Sequence, residues 1–339
     1  MKIPVVITEI EYNKGKKVFD GASARFDWNV TSREEEKVAD AIRTSGARIA
    51  VVGVEKYTGP LYEALGSNAK GEASLIARYG VGYDGIDLAQ CKSHGVYLTI
   101  TPGALDNAVA EHAMALILAC ARNLVSLDSQ LRSGIFANVQ GFELAGKTLG
   151  IVGLGNIGKR VSHIAAFGFG MKVIVYDTLA LEDAAQKEKS GTDEFRQRYG
   201  IADYATEYES CAKKADLLSL HMPVLPSTVK FMNAERFGKM KPGSIFINSS
   251  RGKLVDEADL YDALVSGQLL YAGLDVFERE PYEPVHPDKD LRKLPNIVLT
   301  SHTASNTVEA NFAMQSIVLQ NMDAYLVGDF GRLTAVRMP

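Results

Sequence analysis

Residues Leu149 to Thr178 read LGIVGLGNIGKRVSHIAAFGFGMKVIVYDT, and the reading of this stretch decides the fold. An apolar run of strand length, LGIV, runs into Gly153, Gly155 and Gly158 in the spacing Gly-x-Gly-x-x-Gly. A helical pattern over Ile157 to Phe167 follows, then a second strand-like run, KVIVY, that ends in Asp177. Three glycines in six residues recur by chance, so the flanking elements carry the argument. After a strand and before a helix, Gly153 can make the tight turn, Gly155 lets the backbone approach a pyrophosphate, and Gly158 lets helix and strand pack closely. Asn156 and Ile157 belong to the same phosphate-binding turn. Asp177 ends the strand where a carboxylate accepts from a ribose 2′-hydroxyl and repels a 2′-phosphate, and Thr178, Leu179 and Ala180 bring no cation to offset that repulsion. The expected cofactor is therefore NAD rather than NADP, although FAD uses a similar turn.

Outward from this stretch, strand-length apolar runs alternate with helical patterns in two series. The first holds Pro4 to Ile7, Arg48 to Val54, Ser74 to Arg78 and Val96 to Thr99, with a helix over Arg33 to Thr44. The second holds LGIV, KVIVY, LLSL (217–220), IFIN (245–248), LYAGL (270–274) and IVLT (297–300), six strands, the count of a full dinucleotide-binding sheet. The fold class is α/β: two doubly wound parallel-sheet domains, a flavodoxin-like substrate domain and a Rossmann cofactor domain, with a cleft between them. The segment TPGALDNAVAEHAMALILACARN marks the crossing, and a helical pattern over Asn306 to Val327 returns to the first domain. The expected boundaries are 1–102 plus 304–339 for the first domain and 103–303 for the second. Leu181 to Tyr199 reads as a charged surface insertion.

Composition narrows the function classes. With 339 residues, 46% apolar and 23% charged, the chain has enough apolar residues for two cores. A net charge of −4 argues against nucleic acid as partner. The longest uncharged apolar run, Ala113 to Ala121, is too short to cross a bilayer, and the N-terminal residues lack a signal peptide's apolar core. Cys91, Cys120 and Cys211 are widely spaced and odd in number, which fits reduced packing thiols in a cytoplasmic protein better than a disulfide frame or a zinc site. No metal site is expected.

In an open parallel sheet, ligands bind beyond the carboxyl ends of the strands. There the second series carries His221, Met222 and Pro223, then Ser249, Ser250 and Arg251, then Asp275 and Glu280, then Ser301 and His302. Hydride addition to a ketone requires a proton at the carbonyl oxygen, and a histidine is the best single donor. A glutamate beside it keeps the imidazolium charged and fixes its tautomer. An arginine holds a carboxylate through a two-pronged pair. Arg251, Glu280 and His302 are therefore the candidate catalytic residues. His112 and His163 fall within helical patterns and read as structural.

The segments RYGVGYDGIDL, NAVAEHAMALIL, GKTLGIVGLGNIGKRV, SLHMPVLPSTVKFM, INSSRGKLVDEADL, AGLDVFEREP and SHTASNT together resemble those of the D-isomer-specific 2-hydroxyacid dehydrogenases from about Leu75 to Val327. The resemblance implies an oxidoreductase that moves hydride between NAD(H) and a D-2-hydroxy acid/2-oxo acid pair. By the same resemblance Arg251, Glu280 and His302 are catalytic, Val81 and Gly82 hold the substrate carboxylate through their amides, and Asp275 contacts the nicotinamide carboxamide. It also implies a homodimer formed through the helix around Ala108 to Ala121 and the arm after it, where Phe136 stands in place of a common Trp. Formate-oxidising relatives carry glutamine where Glu280 stands, and phosphite-oxidising ones a lysine near Val81. The alternative function in the same family is a dinucleotide-sensing, corepressor-like binding protein.

Overall fold

Each series of apolar runs forms its own parallel sheet in the computed structural model, which describes residues 2–66 and 73–336. The chain divides into two compact units, Met1–Leu105 with Asn306–Pro339, and Asp106–Ser305.

In the first unit the strands are β1 (Ile3–Thr8), β2 (Phe26–Thr31), β3 (Ile49–Val52), β4 (Ser74–Arg78) and β5 (Val96–Thr99), in the order β2-β1-β3-β4-β5. This is the flavodoxin-like order. Every residue of β3 and β4 is buried, as expected of central parallel strands covered on both faces. The helix Glu35–Ser45 ends on Gly46, whose φ of 67° supplies the left-handed turn that closes many helices. The helix Val308–Leu326 is capped by the Thr307 side chain, which accepts the Ala310 N–H at 3.1 Å. It buries Ala310, Met314, Val318 and Met322, and its Gln315 donates to the Tyr79 hydroxyl at 3.0 Å. The strand β2 was not expected from sequence; it lies at the sheet edge and reads FDWNVT.

The second unit holds β6 (Thr148–Val152), β7 (Lys172–Tyr176), β8 (Ile201–Ala205), β9 (Leu217–Leu220), β10 (Ser244–Asn248), β11 (Leu269–Leu274) and β12 (Ile297–Leu299). Their order, β12-β11-β10-β9-β6-β7-β8, reverses direction of growth at β6 and β9, the switch point of a Rossmann sheet. The expectation of two doubly wound parallel domains holds, with one correction: the second sheet has seven strands, not six. The additional strand is the edge strand β8, reading IADYA, in which only Ile201 and Ala205 are buried.

Leu181 to Tyr199 also needs correcting. It forms two helices, Leu181–Lys187 and Thr192–Tyr199, that complete the crossover from β7 to β8. Phe195, Ala184 and Ala185 are buried in the same core as Val161, Val173 and Val175. Fully burying a phenylalanine is worth about 1.5–3 kcal/mol, so the segment is part of the domain and no surface insertion. Its charges face outward and pair: Glu188 accepts from Lys159 and, at 2.7 Å, from the Tyr199 hydroxyl.

Candidate active site

The glycine turn after β6 has three distinct environments. A Cβ on Gly153, whose φ is 95°, would stand 2.6 Å from the His221 carbonyl oxygen, and one on Gly158 would stand 2.3 Å from the Gly153 carbonyl oxygen. Both positions are closed to any side chain. A Cβ on Gly155 would meet nothing within 4 Å. Gly155 instead caps the helix Asn156–His163 with exposed backbone, beside exposed Asn156 and half-buried Ile157. An open helix N-terminus with unhindered amides fits a pyrophosphate. At the end of β7, Asp177 takes the Leu154 N–H at 2.6 Å on one carboxylate oxygen and the Leu179 N–H at 2.8 Å on the other, so the acid is tied to the glycine turn it serves.

Beyond β9, His221 meets the Ser219 hydroxyl at 2.9 Å through Nε2, while its Nδ1 is buried without a partner. Burial pulls this imidazole down to about 4, so it stays neutral near physiological pH. Pro223 is exposed on the following loop. At the end of β10, fully buried Asn248 organises the next turn: it donates to the Arg251 carbonyl at 2.9 Å and accepts the Ser250 N–H at 3.0 Å. The Ser250 hydroxyl donates to the Leu220 carbonyl at 2.6 Å, and the Ser249 hydroxyl is buried with no partner. The orphaned His221 Nδ1 and Ser249 Oγ are polar atoms that a bound polar cofactor can satisfy.

Arg251 donates from Nη1 to the Ser250 carbonyl at 2.7 Å. A Cβ on the next residue, Gly252, would fall 1.8 Å from the Phe277 carbonyl carbon, so the turn that carries Arg251 abuts the loop that carries Glu280. Glu280 in turn accepts the Phe277 N–H on Oε1 at 3.0 Å and meets His302 Nδ1 through Oε2 at 2.6 Å. An ionised carboxylate has no proton to give, so Nδ1 donates and Nε2 is the nitrogen left to exchange a proton. His302 has a φ of 53°, a region that non-glycine residues seldom occupy. Its N–H donates to the Asp275 carbonyl at 2.7 Å.

Asp275 itself is fully buried. Burial pushes its carboxyl up, but hydrogen bonds from His112, the Thr300 hydroxyl and the amides of Thr303 and Ala304 outweigh that and hold it below the usual carboxylate range. His112 Nε2 lies 3.0 Å from the Thr300 hydroxyl oxygen and 3.5 Å from Asp275 Oδ1. Glu257 is a second residue without a sequence signal: it is buried, accepts the Glu278 N–H at 2.6 Å and keeps Oε2 unpartnered. Burial, with the repulsion of Glu278, Glu280 and Asp256, pushes its carboxyl up to about 7 despite that amide bond. Val81 and Gly82 belong to the first unit, in the loop after β4, where the Gly80 carbonyl takes the Thr101 N–H at 3.0 Å and the Gly85 carbonyl takes the Tyr57 N–H at 2.9 Å. The three cysteines are free and buried, with burial pushing each thiol up to about 12, so none is a thiolate near neutral pH.

The seven-stranded parallel sheet with its glycine turn is of the dinucleotide-binding class. Residues 114–304 match the family described as D-isomer specific 2-hydroxyacid dehydrogenase, NAD binding domain. The chain is 40% identical over 264 residues to a glyoxylate reductase of Thermococcus litoralis, covering 75% of this chain and 74% of that one. It is 39% identical over 271 residues to a hydroxypyruvate reductase of Thermotoga maritima, covering 77% and 79%. Among solved structures, the NADPH-dependent glyoxylate/hydroxypyruvate reductase of Sinorhizobium meliloti superposes with a TM-score of 0.81 at 28% identity, covering 100% of this chain and 98% of that one. The chain belongs to the D-isomer specific 2-hydroxyacid dehydrogenase family.

Proposed function

We propose that this chain is an NADH-dependent reductase of small 2-oxo acids, forming D-2-hydroxy acids, with His302 as the proton donor. The observation that carries the reading is the 2.6 Å bond between His302 Nδ1 and Glu280 Oε2, which orients the ring and leaves Nε2 for the substrate. Bound NADH supplies the hydride that adds to the carbonyl carbon. His302 delivers the proton to the carbonyl oxygen, and Glu280 holds the imidazolium until it does. Arg251 grips the substrate carboxylate, which the amides of Val81 and Gly82 also bind. Asp275 serves the nicotinamide carboxamide, and His221, Pro223, Ser249 and Ser250 line the cofactor side. Gly153, Gly155, Asn156, Ile157 and Gly158 hold the pyrophosphate. The glyoxylate and hydroxypyruvate reductases among the relatives point to small R groups. The test is NADH oxidation with glyoxylate, hydroxypyruvate, pyruvate, 2-oxoisocaproate and phenylpyruvate. Turnover with at least one small oxo acid is expected; dinucleotide binding without any turnover would favour the corepressor-like alternative instead.

The cofactor choice rests on Asp177 and on the lack of Lys or Arg at residues 178–180. NADH should serve at least about tenfold better than NADPH, roughly 1.4 kcal/mol. Equal kcat/KM with the two cofactors would defeat this assignment, and Asp177→Ala with Thr178→Arg should narrow or invert the preference.

The quaternary assignment is a homodimer. Ten residues of helix Asp106–Ala121 are buried. The dimer is assigned to that helix and to the arm that follows it, where Leu124, Val125, Leu131, Ile135, Phe136 and Val139 are exposed. Among the described residues, no single helix is long and apolar enough to cross a membrane. The cytoplasm remains the proposed location.

A further inference from the structure

We propose that His112 is a positioning residue for the reaction, acting through Thr300 and Asp275 on the turn that presents His302; the proposal rests on His302 being the proton donor. His302 sits in a backbone conformation that a side chain disfavours, so its neighbours must over-determine it. Asp275 does most of this. Its carbonyl takes the His302 N–H, and its carboxylate takes the Thr303 N–H on Oδ1 and the Ala304 N–H on Oδ2, both at 2.9 Å. The Thr300 hydroxyl donates to Oδ1 at 2.6 Å. The Thr300 hydroxyl and the three consecutive amides of His302, Thr303 and Ala304 thus converge on one fully buried aspartate.

What orients the aspartate comes from a distant helix. His112 Nε2 stands 3.0 Å from Thr300 Oγ1 and 3.5 Å from Asp275 Oδ1. A hydroxyl has one proton, and Thr300 spends it on the carboxylate, so at this oxygen His112 must be the donor. The resulting order is His112 Nε2–H to Thr300 Oγ1–H to Asp275. Without His112 the threonine oxygen loses its donor and a buried carboxylate loses a neighbour that can share its charge, so the aspartate and the turn it holds are free to shift. Small displacements of a proton donor are costly to turnover because the reacting atoms must stay within about 3–3.5 Å. No contact of His112 with substrate is required.

The test compares His112→Leu with His112→Gln, whose amide nitrogen reaches the Nε2 position. The leucine variant should lose about tenfold or more in kcat for 2-oxo acid reduction, with KM for the oxo acid changed less than threefold, and glutamine should restore kcat to within about threefold. Thr300→Val breaks the same relay from the other side and should give the same kcat-selective loss, which keeps the proposal testable if His112→Leu does not fold. In a His302→Gln background neither change should lower kcat further. Wild-type kcat in both His112→Leu and Thr300→Val, or losses that multiply with His302→Gln, would overturn the proposal. Full activity of His302→Gln itself would overturn the reading of His302 as proton donor, which separates the two failures.

Discussion

In the proposed reaction His302 and Glu280 act through one hydrogen bond of 2.6 Å, and its energetics can be measured by a double-mutant cycle. His302→Gln should lower kcat for reduction about a hundredfold or more, the scale of a lost general acid, with NADH affinity retained. Glu280→Gln should be milder, and the double variant should cost little more than His302→Gln alone; losses that multiply in steady-state kinetics would mean that the two residues act separately. Glu257, the buried acid behind the same loop, supports a stability prediction. Its carboxyl ordinarily titrates near 4.5 but near 7 in the fold, so between those values the folded chain holds a proton that the unfolded chain has released. Folding stability from this group therefore falls as pH rises through that window and levels off above it. Lys230, bonded to Asp256 at 2.8 Å and 3.9 Å from Glu278, offsets part of the local negative charge. Between pH 5 and pH 8 the melting temperature of Glu257→Gln should fall less than that of the wild type, by about 2–4 °C for each kcal/mol recovered. Parallel melting profiles would remove Glu257 from the account. Arg251, Glu280 and His302 stand out in the sequence as candidates because each follows a strand end, where a parallel sheet puts its ligands. His112 and Asn248 do not, since a polar residue inside a helical or strand pattern shows its partner only after folding.

At the scale of elements, legibility followed position in the sheet. The fully buried strands β3, β4, β9 and β10 read as mostly apolar runs, broken only by single polar residues or a terminal Arg78, because both their faces are covered. Two edge strands gave no such signal: β2 carries Asp27 and Asn29, and β8 carries Asp203, because an edge strand is only partly enclosed and tolerates polar residues. The helices of 181–199 were obscured in the same way, their few buried positions spaced among outward charges. The glycine turn allows a sharper test, since its glycines serve opposite ends. Gly158→Ala must displace the Gly153 carbonyl, so it should cost about 1–3 kcal/mol in unfolding free energy. Gly155→Ala meets nothing in the protein and should leave the melting temperature nearly unchanged, yet raise the NADH dissociation constant if, as proposed, the pyrophosphate approaches there. If calorimetry and NADH fluorescence gave the two variants the same profile, the division of labour in this turn would be wrong.

For the whole molecule, the segment after the helix Asp106–Ala121 presents an apolar surface. Helix Leu124–Arg132 has no buried residue, and Phe136 beyond it is 92% exposed. Six large apolar side chains in sixteen residues, Leu124 to Val139, exceed the scattered exposure normal on a monomer's surface. Burial of one such side chain is worth about 1.5–3 kcal/mol, so self-association through this arm has enough driving force even after the entropic cost of docking. Closed two-fold pairing is the commonest way for identical chains to satisfy a shared patch, and each arm would then cover part of the other chain. The charged replacements Ile135→Asp and Phe136→Asp add two buried charges per arm, four per dimer, with no partner for any of them. Sedimentation analysis should therefore show a dimer for the wild type and a monomer for the double variant at micromolar concentration. The glycine turn and the His302–Glu280 pair lie outside the arm, so NADH should still bind the dispersed variant. A wild-type chain that sediments as a monomer, or a double variant that stays dimeric, would move the interface elsewhere and leave the arm's exposure to be explained by another partner.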